Sequence, residues 1–226
     1  MSAPAPLVLF DLDGTLVDSA VDLHVAMCRL ADGEGREAPP LERFRRVVSK
    51  GARAMLALTY PDLDEAAREA RLQPFLDHYA GTVEDSPRAY AGIPEVLDWI
   101  EASGSRWGIV TNKPEALARR VVACMGWSTR TAILVGGDTL PVKKPDPGTL
   151  LHACRVLGFE PATTVYVGDD ERDVLAARAA GMPCVAVTWG YREAHESPAD
   201  WGAERLADHP GELVSAGLLA AVRVEA

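Results

Sequence analysis

Five short runs of apolar and β-branched residues punctuate this chain, and the segments between them carry helical rather than strand periodicity. The runs are "LVLF" (7–10), "RWGIVT" (106–111), "TAILVG" (131–136), "TTVYVG" (163–168) and "PCVAVT" (183–188). Continuous apolar runs bounded by Gly, Thr, Asn and Asp suit parallel strands covered on both faces. Helical patterns occupy residues 94–103, 114–125, 147–158 and 171–181, with Pro near their starts and Gly just past several ends, the usual asymmetry of helix termini. Strand–helix alternation of this kind predicts an α/β fold with a doubly wound parallel sheet.

One region departs from that rhythm. Between Ser19 and Asp85 no stretch reads as a strand, whereas "SAVDLHVAMCRLA", "PLERFRRVVS", "GARAMLALTY" and "LDEAAREARLQPFLDHYAGTV" all read as helices. A small all-helical domain inserted after the first strand is therefore expected. The boundaries are a core formed by residues 1–18 and 88–226 and a helical insertion over 19–87. Beyond Trp189 the pattern is less regular, with a last helix expected around 210–220.

Acidic residues outnumber basic ones, 33 to 23, for a formal charge of −10. Nucleic acid and anionic membrane surfaces favour basic partners, so neither is expected here. No run approaches the roughly 20 apolar residues that span a bilayer, and "MSAPAP" lacks the features of a secretory leader. The four cysteines, Cys28, Cys124, Cys154 and Cys184, show no metal-ligand spacing and sit in apolar stretches. They are read as reduced core thiols of a cytoplasmic protein. His24, His78, His152, His195 and His209 fall in no constellation, and Trp99, Trp107, Trp127, Trp189 and Trp201 read as packing residues.

In open parallel sheets, ligands bind beyond the carboxyl ends of the strands, and polar clusters stand there after strand upon strand. The first run leads into Asp11-Leu12-Asp13-Gly14-Thr15 and the second into Thr111-Asn112-Lys113. The third is followed by "GGDTLPVKKPDP", with Lys143 and Lys144, and the fourth by Gly168-Asp169-Asp170, with Asp173 close behind. Taken singly, an Asp-x-Asp-Gly is a common turn and acids at 169–173 are ordinary helix-start residues. Together they predict one acidic pocket containing a lysine. Converging carboxylates repel unless a cation lies between them. With no His or Cys in the set, the donors are hard oxygens, which favour Mg²⁺. Metal, lysine, threonine hydroxyl and backbone amides are what a phosphoryl group needs. A carboxylate can then attack it while a second moves protons.

The ordered set "DLDGTLVDS", "TNKP", "KKPDP" and "GDDERD" resembles the four signature motifs of the haloacid dehalogenase superfamily, over nearly the whole chain. The helical block between the first and second motifs resembles the cap of its phosphoglycolate-phosphatase-like branch. The resemblance implies a Rossmann-like core and a phosphomonoesterase using Mg²⁺. It makes Asp11 the nucleophile that forms an aspartyl-phosphate, and Asp13 the general acid/base whose carbonyl also serves the metal. It makes Thr111 and Lys144 the holders of the phosphoryl group, helped by amides near Gly14, Thr15 and Asn112. Asp169 completes the metal shell of Asp11 and Asp13; Asp173 joins it or orients Lys144. Asp170 is a neighbour without a settled role. Lys144 is chosen over Lys143 because it directly precedes Pro145, and Lys113 is expected to face away from substrate.

The presence of Asp13 favours phosphoryl transfer over attack on carbon, and Asp169-Asp170 in place of a Glu-Asp pair favours hydrolysis over mutase activity. In the insertion, "VVSKGARAML" (47–56) is the expected specificity loop, with a turn at Gly51 and cations at Lys50 and Arg53 suited to a substrate carboxylate. General likeness points to a small phosphorylated acid such as 2-phosphoglycolate. The stretches "SKGARAM", "WGIVTNKP" and "WGAERLADHP" are similar to the N-acetylmuramic acid 6-phosphate phosphatases. A phosphate-responsive interaction protein without turnover is the alternative from another class. The partner expected is a small phosphomonoester, with the chain acting as a monomer or homodimer.

Overall fold

A computed structural model describes residues 4–85 and 87–220. The ends of the expected core segments, 1–3 and 221–226, and residue 86 of the expected insertion lie outside the described residues. Six parallel strands form one sheet in the order β5–β4–β1–β6–β7–β8: β1 (Leu7–Phe10), β4 (Arg106–Val110), β5 (Leu134–Val135), β6 (Thr164–Gly168), β7 (Cys184–Val187) and β8 (Arg205–Ala207). The strand β1 is central, pairing with β4 on one side and β6 on the other. Strand order reverses around it, opening a crevice at the carboxyl ends of β1, β4 and β6.

Side chains alternate across each strand, so both sheet faces are buried. Val8, Phe10, Trp107, Ile109, Val165 and Val167 face one apolar cluster, while Leu7, Leu9, Val110 and Tyr166 face the other. The first face is covered by α6 (Ile93–Ala102), α7 (Glu115–Cys124) and α10 (Pro210–Ser215). The second is covered by α8 (Gly148–Leu157) and α9 (Glu171–Ala179). This is the doubly wound arrangement expected from the alternating pattern.

Between β1 and α6 the described chain forms a block of five α-helices: α1 (Ala20–Gly33), α2 (Leu41–Arg45), α3 (Ala52–Thr59), α4 (Glu65–Glu69) and α5 (Leu72–Ala80). The chain reaches them through β2 (Val17–Asp18) and returns through β3 (Arg88–Ala89), which pair antiparallel as a two-stranded ribbon. Helix α1 packs against α2 and α5, and α3 against α4 and α5. Their buried residues, among them Met27, Phe44, Leu56, Phe75 and Tyr79, run into the apolar cluster on the first sheet face.

Several expectations change. The run at 131–136 contributes only Leu134 and Val135 to the sheet, because β5 is an edge strand bonded to β4 alone. The last helix spans Pro210–Ser215 rather than 210–220. The strands β2, β3 and β8 are two or three residues long, with exposed or half-buried positions, and show no apolar run. Cys154 and Cys184 are buried, but Cys28 is half-buried and Cys124, at the outward end of α7, is exposed, so the core-thiol reading holds for two of the four. No helix among the described residues is long and apolar enough to cross a membrane.

Trp107 anchors the first face: it is buried, packs edge-on against Trp127 at 5.9 Å, and its indole N–H donates to Glu101 at 2.7 Å. Trp107→Ala is expected to cost about 3–5 kcal/mol, measured as a fall in the denaturation midpoint.

Candidate active site

The turn after β1 is compact. Gly14 N–H donates to Val17 O at 2.9 Å, and the amides of Leu16 and Val17 both donate to Leu12 O. Gly14 takes a φ of +86°, which a side chain disfavours, and a Cβ there would lie 2.1 Å from Asp169 Oδ2. The glycine thus permits β1 and β6 to bring their terminal acids together. Carboxylate oxygens of Asp11, Asp169 and Asp173 lie within 4.8 Å of one another, and all three residues are buried.

Lys144 neutralises part of this charge. Its ammonium lies 2.7 Å from Asp173 Oδ1 and 3.1 Å from Asp11 Oδ1, and donates to the Tyr166 hydroxyl at 2.7 Å. Tyr166 OH in turn donates to Val110 O at 2.8 Å. The Lys144 side chain is 2% exposed. Burial pulls its pKa down, but Asp11 and Asp173 outweigh burial and raise it. Asp173 is raised to about 6, by burial first and by Asp11 and Asp170, against the opposing pull of Lys144. Asp169 has no such cation and is pushed well above the carboxylate range by burial, then by Asp11 and Asp173. Three converging carboxylates with one lysine paired to two of them leave a site short of positive charge, and oxygen-only donors fit a hard divalent cation.

Asp169 is also held by neighbours. It accepts from Thr15 Oγ1 at 3.1 Å, Ser49 Oγ at 2.7 Å and Tyr191 N–H at 2.9 Å. Asp170 caps α9 by accepting from Arg172 N–H, and Asp173 reciprocates by accepting from Asp170 N–H at 3.1 Å. Above these acids lies a cavity of about 280 Å³. Its floor includes Asp11, Asp13, Thr111 and Lys144, and its upper wall is apolar, formed by Met55, Leu72, Phe75, Leu76 and Leu117.

Residues 5–181 match the profile of the haloacid dehalogenase-like hydrolases. The chain belongs to that family. It is 48% identical over 206 residues to a phosphoglycolate phosphatase of Xanthomonas campestris pv. campestris, covering 91% of this chain and 93% of that protein. It is 42% identical over 208 residues to an N-acetylmuramic acid 6-phosphate phosphatase of Pseudomonas aeruginosa, covering 92% of each. In fold it is similar to a predicted phosphoglycolate phosphatase from Haemophilus somnus 129pt, with a TM-score of 0.84, 24% identity and coverage of 94% of this chain and 97% of that one.

Against this family frame, Asp11, Asp13, Thr111, Lys144, Asp169 and Asp173 all converge on the crevice. Lys113 does not face away. Its ammonium lies 3.0 Å from each carboxylate oxygen of Asp13 and 4.4 Å from the centre of the Tyr79 ring, and the residue lines the cavity. A charge just past a strand is usually solvated, but α5 closes over this one. Burial opposes its charge, yet Asp13 and Tyr79 outweigh burial and raise its pKa.

The other residues expected to bind substrate have internal partners, and Lys50, Gly51, Arg53 and Asn112 among them also line the cavity. Thr15 donates to Asp169, and the Gly14 amide is used within the turn. The Asn112 amide side chain clamps the backbone of Lys144, donating to its O at 2.9 Å and accepting from its N–H at 3.0 Å. Arg53 forks onto Glu69 with its side chain 61% exposed. Gly51, with φ +89°, turns the chain into α3. Lys50 pairs with Asp170 at 2.8 Å and with Glu196, and the Arg172 guanidinium bonds to Asp170 and to the carbonyls of Ser49 and Lys50. Burial opposes the charge on Asp170, but Arg172 and Lys50 outweigh burial and lower its pKa. Ser19, Ser49, Tyr166, Arg172, Tyr191 and Glu196 had no assigned role in the sequence. Of these, Ser19 ends "DLDGTLVDS", Ser49 lies in "VVSKGARAML" and Arg172 in "GDDERD", whereas Tyr166, Tyr191 and Glu196 lie in no segment singled out for its chemistry.

Gly14→Ala is expected to cost about 1–2 kcal/mol from the left-handed backbone alone and, by displacing Asp169, to lower hydrolase activity more than this stability loss explains. Thermal melts compared with steady-state rates check it.

Proposed function

We propose that this protein is a Mg²⁺-dependent phosphoric monoester hydrolase working through a phosphorylated Asp11. The observation that carries the reading is the single ammonium of Lys144 shared by Asp11 and Asp173 inside a cluster of three carboxylates. Asp11 and Asp169, with the Asp13 carbonyl and Asp173 beside them, would hold the metal. When bound, the ion neutralises phosphate charge as the nucleophile approaches. Lys144 and the Thr111 hydroxyl hold the transferring group. An Asp11 carboxylate oxygen forms a bond to phosphorus as the bond to the leaving oxygen breaks, and Asp13 gives that oxygen a proton. Water then attacks phosphorus, its proton passes to Asp13, the bond to Asp11 breaks, and inorganic phosphate leaves.

The helices α1–α5 act in this reading as a cap over the crevice, with the insertion boundaries at 19 and 87. Ser49 and Lys50 meet the core at Asp169 and Asp170, which supports it. A cytoplasmic location accords with the buried free thiols of Cys154 and Cys184.

The relatives favour a small phosphorylated carboxylic acid of the phosphoglycolate type as substrate. The cavity favours a second reading, a phosphorylated sugar acid such as N-acetylmuramic acid 6-phosphate. Its 280 Å³ corresponds to roughly nine waters at about 30 Å³ each, more than a two-carbon acid fills, and its apolar wall has nothing to meet on phosphoglycolate.

Mg²⁺-dependent release of p-nitrophenol from p-nitrophenyl phosphate tests the reaction. EDTA is expected to abolish release and added Mg²⁺ to restore it. Asp11→Asn is expected to abolish turnover, and Asp13→Asn to lower it about 10²–10⁴-fold with alkyl phosphates. Unchanged release in Asp11→Asn would favour the non-catalytic phosphate-binding alternative. Side-by-side kcat/KM values on phosphoglycolate and N-acetylmuramic acid 6-phosphate separate the two substrate readings. A preference for the amino sugar of at least about tenfold is expected if the apolar wall is used, since each well-buried methylene contributes about 0.8 kcal/mol.

A further inference from the structure

Asp13 has to do its work from one orientation, and the structure supplies the two groups that fix it. The Lys113 ammonium bridges both carboxylate oxygens at 3.0 Å, and Ser19 Oγ donates to Oδ1 at 2.6 Å. Neither donor is loose. The Lys113 backbone is tied at both ends, its N–H to Thr111 Oγ1 and its carbonyl to Gly137 N–H at 2.8 Å. Its ammonium rests on the Tyr79 ring, and its side chain is only 4% exposed. Ser19 is buried, with its own N–H held by the Tyr191 hydroxyl at 2.8 Å.

We infer that Lys113, assisted by Ser19, is a positioning residue that holds the Asp13 carboxylate for the water step. The inference rests on the reading of Asp13 as the proton carrier. After Asp13 has given its proton to the leaving oxygen it is a carboxylate, and a bridging ammonium is the partner that form needs. From that held position it receives the water proton as the water oxygen bonds to phosphorus and the Asp11–phosphorus bond breaks. A lysine that only bound substrate would instead face the ligand and leave Asp13 free to rotate. The role needs no contact between Lys113 and the reacting atoms.

The test separates the two half-reactions. p-Nitrophenolate leaves without a proton, so its release reports phosphorylation of Asp11 alone, whereas steady turnover needs the water step. Rapid-mixing assays of Lys113→Met are expected to show a p-nitrophenol burst near one per site, larger than in the parent enzyme. A steady rate at least about tenfold lower should follow. Acid-quenched protein should carry phosphate in proportion to the burst. Lys113→Arg keeps a bridging cation and is expected to recover much of the steady rate, and Ser19→Ala to show a smaller burst of the same kind. A fold defect would lower burst and steady rate together, in step with the fraction folded, and would not trap phosphoenzyme.

Lys113→Met and Ser19→Ala that both turn over at the parent rate would overturn the inference. So would a Lys113→Met that raises KM without a burst, which would make Lys113 a substrate ligand. An Asp13→Asn enzyme that hydrolyses both p-nitrophenyl and alkyl phosphates at the parent rate would instead overturn the underlying role of Asp13.

Discussion

The structure turns on one buried ammonium among carboxylates. Asp11, Asp169 and Asp173 are brought within a few ångströms of one another, a concentration of like charge that a protein interior disfavours. Lys144 relieves it by standing between Asp11 and Asp173. Its own desolvation is offset by those two acids and by the Tyr166 hydroxyl. Removing one partner of a buried ion pair costs far more than the pair contributes in net stability. The arrangement is therefore held together by these mutually dependent charges, and Asn112, Tyr166 and Thr15 serve to keep them in place.

Topology explains why the charges meet. Because β1 lies between β4 and β6, the segments after these three strands end at the same edge of the sheet. The fourth contributor, Lys144, arrives on the loop between β5 and α8, and its backbone is fastened by two hydrogen bonds to the side-chain amide of Asn112 after β4. The helical block then closes the crevice from above. Ser49 reaches Asp169, Lys50 reaches Asp170 and Glu196, and Arg172 reaches back to the carbonyls of Ser49 and Lys50. The helical block thus makes direct contact with two acids that follow β6, Asp169 and Asp170.

Much of this was legible beforehand, for physical reasons that differ by element. The strands β1, β4, β6 and β7 are buried on both sides, so their burial is written into continuous apolar runs. The strands β2, β3 and β8 are too short and too exposed to carry that pattern. Lys144 was distinguishable from Lys143 through its place in a motif, but Lys113 was misjudged. Its fate depends on α5 and Tyr79, far away in the chain, which turn a position after a strand from a solvated one into a buried one. The loop at 47–56 stands out in the sequence for its glycine and cations, but the partners of Lys50 are not legible there. Asp170, Arg172 and Glu196 become its partners only when the helices fold over the sheet.

By itself the sequence determined where the strands buried on both faces, β1, β4, β6 and β7, form, which acids follow them, and that those acids call for a lysine beside them, since apolar periodicity and charge imbalance are local properties of the chain. Tertiary structure alone decided which hydroxyls and amides are spent inside the fold and that Lys113 grips Asp13. It alone set the size and apolar lining of the space above the acids, because each depends on residues brought together from distant segments.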